Sequence, residues 1–134
     1  MKEKIVVSID GSCQVNPHGE MKFAYIIDHP NGEPETHFEI IDSKYGNTMC
    51  TAEYMALNSA LDRLKELNMT MNDIEVRTTS SQINLHLLGL IKPNRGYYLK
   101  EAIETSKNIR KFLSIKVNKI LRKDNVEVLN LYKS

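Results

Sequence analysis

The chain has 134 residues, of which 41% are hydrophobic and 26% charged, with a net charge of +1 at pH 7. This is the make-up of a soluble globular protein, long enough for one core and expected to form a single domain over 1–134. No apolar run approaches the roughly 20 residues a bilayer crossing needs, which excludes a helical membrane protein.

Charge is unevenly spread. Residues 1–67 hold 6 Lys/Arg against 11 Asp/Glu, and residues 68–134 hold 12 against 6. A basic C-terminal half suits a polyanion, although lysines on solvated faces produce the same count. Cys13 and Cys50 form neither a metal-spacing motif nor a disulfide framework. Met1-Lys-Glu-Lys lacks a signal peptide's apolar stretch, so a cytoplasmic protein with reduced thiols is expected.

In chain order, Ile5-Val-Val-Ser-Ile-Asp10 reads as a buried strand ending on a carboxylate, with Gly11-Ser12-Cys13 directly behind it. Asp10 there either meets ions at the sheet's edge or starts an Asp-Gly-Ser turn. Gly11 to Glu20 carries the breakers Asn16-Pro17 and Gly19. Met21–Ile27 and the alternating Thr36–Ile41 predict a hairpin around Asn31-Gly32.

The period then changes. Ala52, Met55, Ala56, Ala60, Leu61, Leu64 and Leu67 recur at helical spacing, predicting an amphipathic helix over 51–67 with Glu53 in its first turn. A carboxylate in a first turn complements the helix dipole. Ile74–Thr79 predicts a fourth strand. Ser80-Ser81 predicts the cap of a short helix over 82–88, stopped at Gly89. Tyr98 to Phe112 predicts a basic helix with Leu99, Ala102, Ile103 and Ile109 on its apolar side. Ser114 to Leu121 predicts a fifth strand, and Asp124 with Glu127 a capping box for a last helix to Tyr132. His18, His29, His37 and His86 show no ligand spacing, and surface or turn roles suffice for them. The order is βββαβααβα, an α/β fold with a five-stranded mixed sheet flanked by helices.

That order, with Asp10-Gly-Ser-Cys, Asn16-Pro17, Ala52-Glu53-Tyr54 and Thr79-Ser-Ser-Gln82, resembles the type 1 ribonuclease H family over nearly the whole chain. The resemblance implies the ribonuclease H-like fold. It also implies cleavage of RNA in RNA–DNA hybrids by two divalent ions, Mg2+ or Mn2+, on four carboxylates. By position Asp10 and Glu53 match the first two metal-binding carboxylates. Ser80 stands where the third belongs, and Leu129, in Asn125-Val-Glu-Val-Leu129, stands where the fourth belongs. A serine hydroxyl is a weak neutral ligand and a leucine is none. Little catalysis is therefore expected, with at most a weakly held ion, unless Asp124 or Glu127 turns inward to replace a lost carboxylate.

The resemblance places substrate contacts at Ser12, Cys13, Asn16, Cys50 and Gln82. Ser12, Asn16 and Gln82 retain groups for a phosphate or sugar. Met49 and Cys50 replace the family's paired asparagines and offer almost nothing to a minor groove. A basic protrusion found in some members is absent, while Arg95, Lys100, Lys107, Arg110 and Lys111 supply charge nearby in sequence. The expectation is a catalytically impaired protein that binds an RNA–DNA hybrid or duplex, or serves as a module for a protein partner. An active hybrid nuclease is the rival.

Overall fold

The computed structural model describes residues 3–133. Its strands are β1 (Lys4–Gln14), β2 (Glu20–Asp28), β3 (Glu35–Ile41), β4 (Asp73–Thr78) and β5 (Ser114–Lys119). Its helices are α1 (Met49–Glu66), α2 (Ser81–Leu87), α3 (Leu99–Ile109) and α4 (Val126–Asn130), with 3-10 turns at Arg122–Asp124 and Leu131–Lys133. The expected order of strands and α-helices holds. The five strands form one mixed sheet in the order β3-β2-β1-β4-β5, antiparallel on the β3–β2–β1 side and parallel across β1–β4–β5. Among the described residues no helix is long and apolar enough to cross a membrane.

The main core lies between the sheet and α1. Ile5, Val7 and Ile9 alternate onto the α1 face of β1, and Phe23, Tyr25 and Ile27 do the same on β2. Ala24 and Ile26 point the other way, into a smaller cluster closed by Val128 of α4 and flanked by Phe38, Leu131 and Tyr132. This explains the unbroken burial of Phe23 to Ile27: the middle of β2 is covered on both faces. Each fully buried Leu or Ile here contributes about 1.5–3 kcal/mol of transfer free energy.

Helix α1 is more deeply set than a one-faced amphipathic helix. Beyond Ala52, Ala56, Ala60, Leu61 and Leu64, it also buries Tyr54, Leu57 and Asn58, because α3 packs on its flank. The seam is polar. Asn58 Oδ1 accepts from Thr105 Oγ1 (2.8 Å) and from Asn108 Nδ2 (3.2 Å), while its Nδ2 donates to the Glu101 carbonyl (3.0 Å). The expected apolar side of α3 holds at Ala102 and at Ile109, which packs against the main core. It is corrected at Ile103, which is left exposed while Thr105 and Asn108 face inward. Hydrogen bonding across the seam outweighed the pattern of apolar residues.

Three boundaries also move. Strand β1 runs through Gly11 and Ser12 to Gln14, paired with β2 as far as Gln14↔Glu20, so Asp10 starts no turn. Helix α1 begins at Met49 behind the Thr48 cap, whose hydroxyl accepts from the Thr51 amide (2.9 Å). Glu53 therefore lies beyond the first turn and is not placed there by the helix dipole. The capping box at Asp124 and Glu127 does not form. Asn125 precedes α4, which has no side-chain cap bond.

Candidate nucleic-acid site

The site grows from a divergence in the sheet. β1 and β4 pair in parallel up to Ser8↔Arg77 and then separate, while β1 continues against β2 alone. Asp10 sits two residues past the split, outside the carboxyl ends of β4 and β5, where open α/β sheets form their crevices. Its backbone neighbour is Gly11. An added Cβ there would lie 2.6 Å from the Ala52 carbonyl carbon and closer still to the Glu53 nitrogen. The missing side chain lets α1 lie against β1, and so brings Glu53 to Asp10.

A cavity of about 520 Å³ opens over this pair. Glu53, Cys50 and Met49 line it from α1, and Thr79, Ser80 and Gln82 from the β4–α2 junction. Lys119 and Arg122 come from the end of β5 and the turn after it. Asp10 is 3% exposed and Glu53 7%, which makes the pair electrostatically expensive. Burial raises the Asp10 pKa, opposed by Tyr132, Arg122 and the Gly11 amide. Glu53 is pushed up to about 8, first by burial and then by the charge of Asp10. Cys50 is pushed up to about 12 by burial and by Glu53, which keeps it an unreactive thiol near neutral pH.

Asn125 locks the C-terminal segment over the site. Its Nδ2 donates to the carbonyl of Ile9 (3.0 Å), one residue beyond the last β1–β4 pair, where the ladder leaves that edge open. Asn125 is 3% exposed. With it come Arg122, whose charge reaches Asp10, and Tyr132, whose hydroxyl lies beside the same carboxyl. Even so, among the described residues Oδ2 of Asp10 and the Tyr132 hydroxyl are buried without a hydrogen-bond partner of sound geometry. Sequence reasoning missed Arg122, Lys119 and Tyr132, since nothing local marks them. Asn125 opens the Asn125–Leu129 stretch, but its sequence context does not mark it as a cap for a strand edge.

The sequence-derived residues divide clearly. Asp10, Glu53, Ser80, Cys50 and Gln82 line one cavity. Ser80 spends its hydroxyl on capping α2, accepting from the Ile83 amide (3.1 Å). Asn16 stands at the rim, its Oδ1 accepting from the Met49 amide (3.1 Å). Ser12 and Cys13 lie on β1 past the site and do not line the cavity. The Cys13 thiol donates to the Val15 carbonyl (3.2 Å), and both cysteines are free thiols packed against the main core. Leu129 is half-buried on α4 and is not part of the cavity wall. Asp124 and Glu127 line a separate cavity with Ser8, Asp28 and Arg77.

His86 has a buried structural role in place of the surface or turn role expected for it. Its Nδ1 meets the Tyr54 hydroxyl and its Nε2 the Ser106 hydroxyl, both at 2.8 Å, and burial lowers its pKa. The ring links α1, α2 and α3. His86→Leu is expected to cost about 2 kcal/mol by orphaning the Tyr54 hydroxyl. A urea midpoint equal to that of the parent protein would refute this.

No protein-family model matches the chain, and no curated protein matches it by sequence. Solved structures do match. Ribonuclease H1 from the archaeon Halobacterium salinarum aligns with a TM-score of 0.80 at 21% identity, over 96% of this chain and 93% of that one. The N-terminal ribonuclease H domain of a Mycobacterium tuberculosis protein aligns with a TM-score of 0.83 at 21% identity, over 96% and 95%. LC11-ribonuclease H1, crystallised with an RNA/DNA hybrid, aligns with a TM-score of 0.81 at 22% identity, over 95% and 92%. A sheet in the same order, the same flanking helices and near-complete mutual coverage make this a protein of ribonuclease H1-like fold.

Proposed function

We propose that the protein binds nucleic acid through this cavity and is impaired as a nuclease. The observation that carries the reading is the cavity's charge inventory. Among the described residues Asp10 and Glu53 are its only carboxylates, and Lys119 and Arg122 share its wall. Two-ion phosphodiester hydrolysis places two dications roughly 4 Å apart and needs several anionic ligands to hold them there. Two carboxylates neutralise half of that charge. The Ser80 oxygen is already accepting a hydrogen bond, and Arg122 adds positive charge beside Asp10. The residues present do not fit an ion pair, and no hydrolytic step follows from them. They suit at most one weakly held Mg2+ or Mn2+ between Asp10 and Glu53.

Lys119 and Arg122 instead suit a phosphodiester directly, with Gln82 and the Ser81 hydroxyl at the same wall. Such binding carries little sequence information and weakens as salt rises. The rival reading, an active hybrid nuclease, has one observation in its favour. The buried, unpartnered Oδ2 of Asp10 is an atom that a cation would satisfy. Asp124 and Glu127 give that reading no support, since they line the other cavity.

A labelled RNA–DNA hybrid incubated with Mg2+ and then Mn2+, beside the Asp10→Asn protein, decides between the two. The expected outcome is no cleavage by either protein, with a gel shift that fades as salt rises and weakens in Arg122→Glu. Cleavage that disappears with Asp10→Asn would overturn the impaired-site reading. A protein that shifts no hybrid at low salt is not a nucleic-acid binder.

A further inference from the structure

Three aromatic side chains from three separate loops meet beside the cavity rim. His18 comes from the β1–β2 turn, Tyr45 from the β3–α1 loop and Tyr97 from the α2–α3 loop. The His18 and Tyr45 rings stack in parallel, with centroids 4.6 Å apart and planes 11° apart. Tyr97 meets both edge-on, at 5.2 Å from His18 and 5.5 Å from Tyr45. The Tyr45 and Tyr97 hydroxyls are 3.2 Å apart. His18 is held by the backbone, its Nδ1 accepting from the Gly46 amide (3.0 Å) and its own amide donating to the Asn47 carbonyl (2.6 Å).

A cluster that only stapled loops together would bury its rings. This one does not: Tyr45 is 76% exposed and Tyr97 48%. His18 covers one face of the Tyr45 ring, and that degree of exposure leaves the opposite face to solvent. Rings held rigid with a free π-face lose little entropy when a flat partner stacks on them. Lys44 precedes Tyr45 in sequence, and Arg95 and Lys100 flank Tyr97, so the loops that carry the rings also carry cations suited to a sugar-phosphate backbone. The cluster adjoins the cavity through Asn16, which shares the turn of His18 and holds the Met49 amide at the cavity wall.

We infer that His18, Tyr45 and Tyr97 form a stacking platform for an unpaired nucleobase, such as the first base of a single-stranded tail leaving a bound duplex. The inference rests on the nucleic-acid reading above and adds a ligand class to it. Base–aromatic stacking tolerates any base, because every base has a π-face, so the platform selects unpaired over paired structure and not one sequence over another.

The test compares a blunt RNA–DNA hybrid with the same hybrid bearing an unpaired oligothymidine tail at either end, by fluorescence anisotropy. The tail is expected to tighten binding by about 5-fold or more, the value of one stacked base. Tyr45→Ala should erase that gain and leave blunt-hybrid affinity unchanged. Tyr45→Phe, which keeps the ring and loses the hydroxyl contact, should retain it. The chain contains no Trp, so quenching of tyrosine emission by the tail gives a second readout. No gain from the tail while the blunt hybrid still binds would overturn the platform alone. An equal loss on both hybrids in Tyr45→Ala would overturn it too, reducing the cluster to a loop staple. Failure to bind either hybrid would overturn the nucleic-acid reading and the platform with it.

Discussion

In metal-free buffer, Glu53→Gln is expected to be more stable than the parent protein by about 2–3 kcal/mol at pH 7, and by less at pH 5. Glu53 is buried beside Asp10 and its pKa is pushed up to about 8 from an ordinary 4.5. The native state therefore holds its proton over a range in which the unfolded chain has released it. For an acid raised in this way, the stabilising contribution is complete below the unfolded value of 4.5. It is lost as pH rises toward and through 8. Asp10 is raised by its own burial and adds to the trend in the same direction. Glutamine keeps the shape and removes the charge that burial penalises, so the variant's stability should fall less steeply with pH. Chemical denaturation at pH 5, 6.5 and 8 measures both slopes. Parallel slopes in the two proteins would show that Glu53 titrates as an ordinary carboxyl.

Gly11→Ala should have the larger effect, a loss of about 3 kcal/mol and roughly 10 °C in melting temperature. The new methyl would meet main-chain atoms of Ala52 and Glu53, not the end of a flexible side chain that can turn aside. Helix α1 carries Leu57, Leu61 and Leu64 in the main core. It cannot retreat from β1 at Gly11 without loosening them. Gly89→Ala is the matched control. It strains a positive φ of 76° but meets nothing within 4 Å, so about 1 kcal/mol is expected there. Equal costs at the two positions would mean that conformational freedom, and not the close approach of α1, explains Gly11. Where Gly11→Ala still folds, a changed Glu53 titration would report that the carboxyl pair has moved apart.

The order of elements was legible because burial periodicity is a local signal. Period two marks Thr36–Ile41, and helical spacing marks Ala52 through Leu64; the structure places a strand and a helix at those positions. Where a polar contact replaced an apolar one the pattern misled. The buried face of α3 includes Thr105 and Asn108, whose partners Asn58 and Lys65 lie 43 to 50 residues away along the chain. His86 was likewise opaque, since its partners Tyr54 and Ser106 lie on two other helices.

The sequence by itself determined that Asp10 and Glu53 are carboxylates and that Ser80 and Leu129 carry no charge; that these four correspond to metal-binding positions is what the resemblance implies. Only the tertiary structure decided what surrounds the pair. β4 leaves β1 after Ser8, Asn125 caps the open Ile9 carbonyl, and Arg122 and Tyr132 are thereby carried to Asp10. It also directed Asp124 and Glu127 into a different cavity and gathered His18, Tyr45 and Tyr97 from three loops. The reason is physical. A strand or helix repeats its own environment every two or 3.6 residues, so its pattern can be read locally. A site is assembled by loops and chain ends whose contacts are long-range, and no periodicity records which of them will meet.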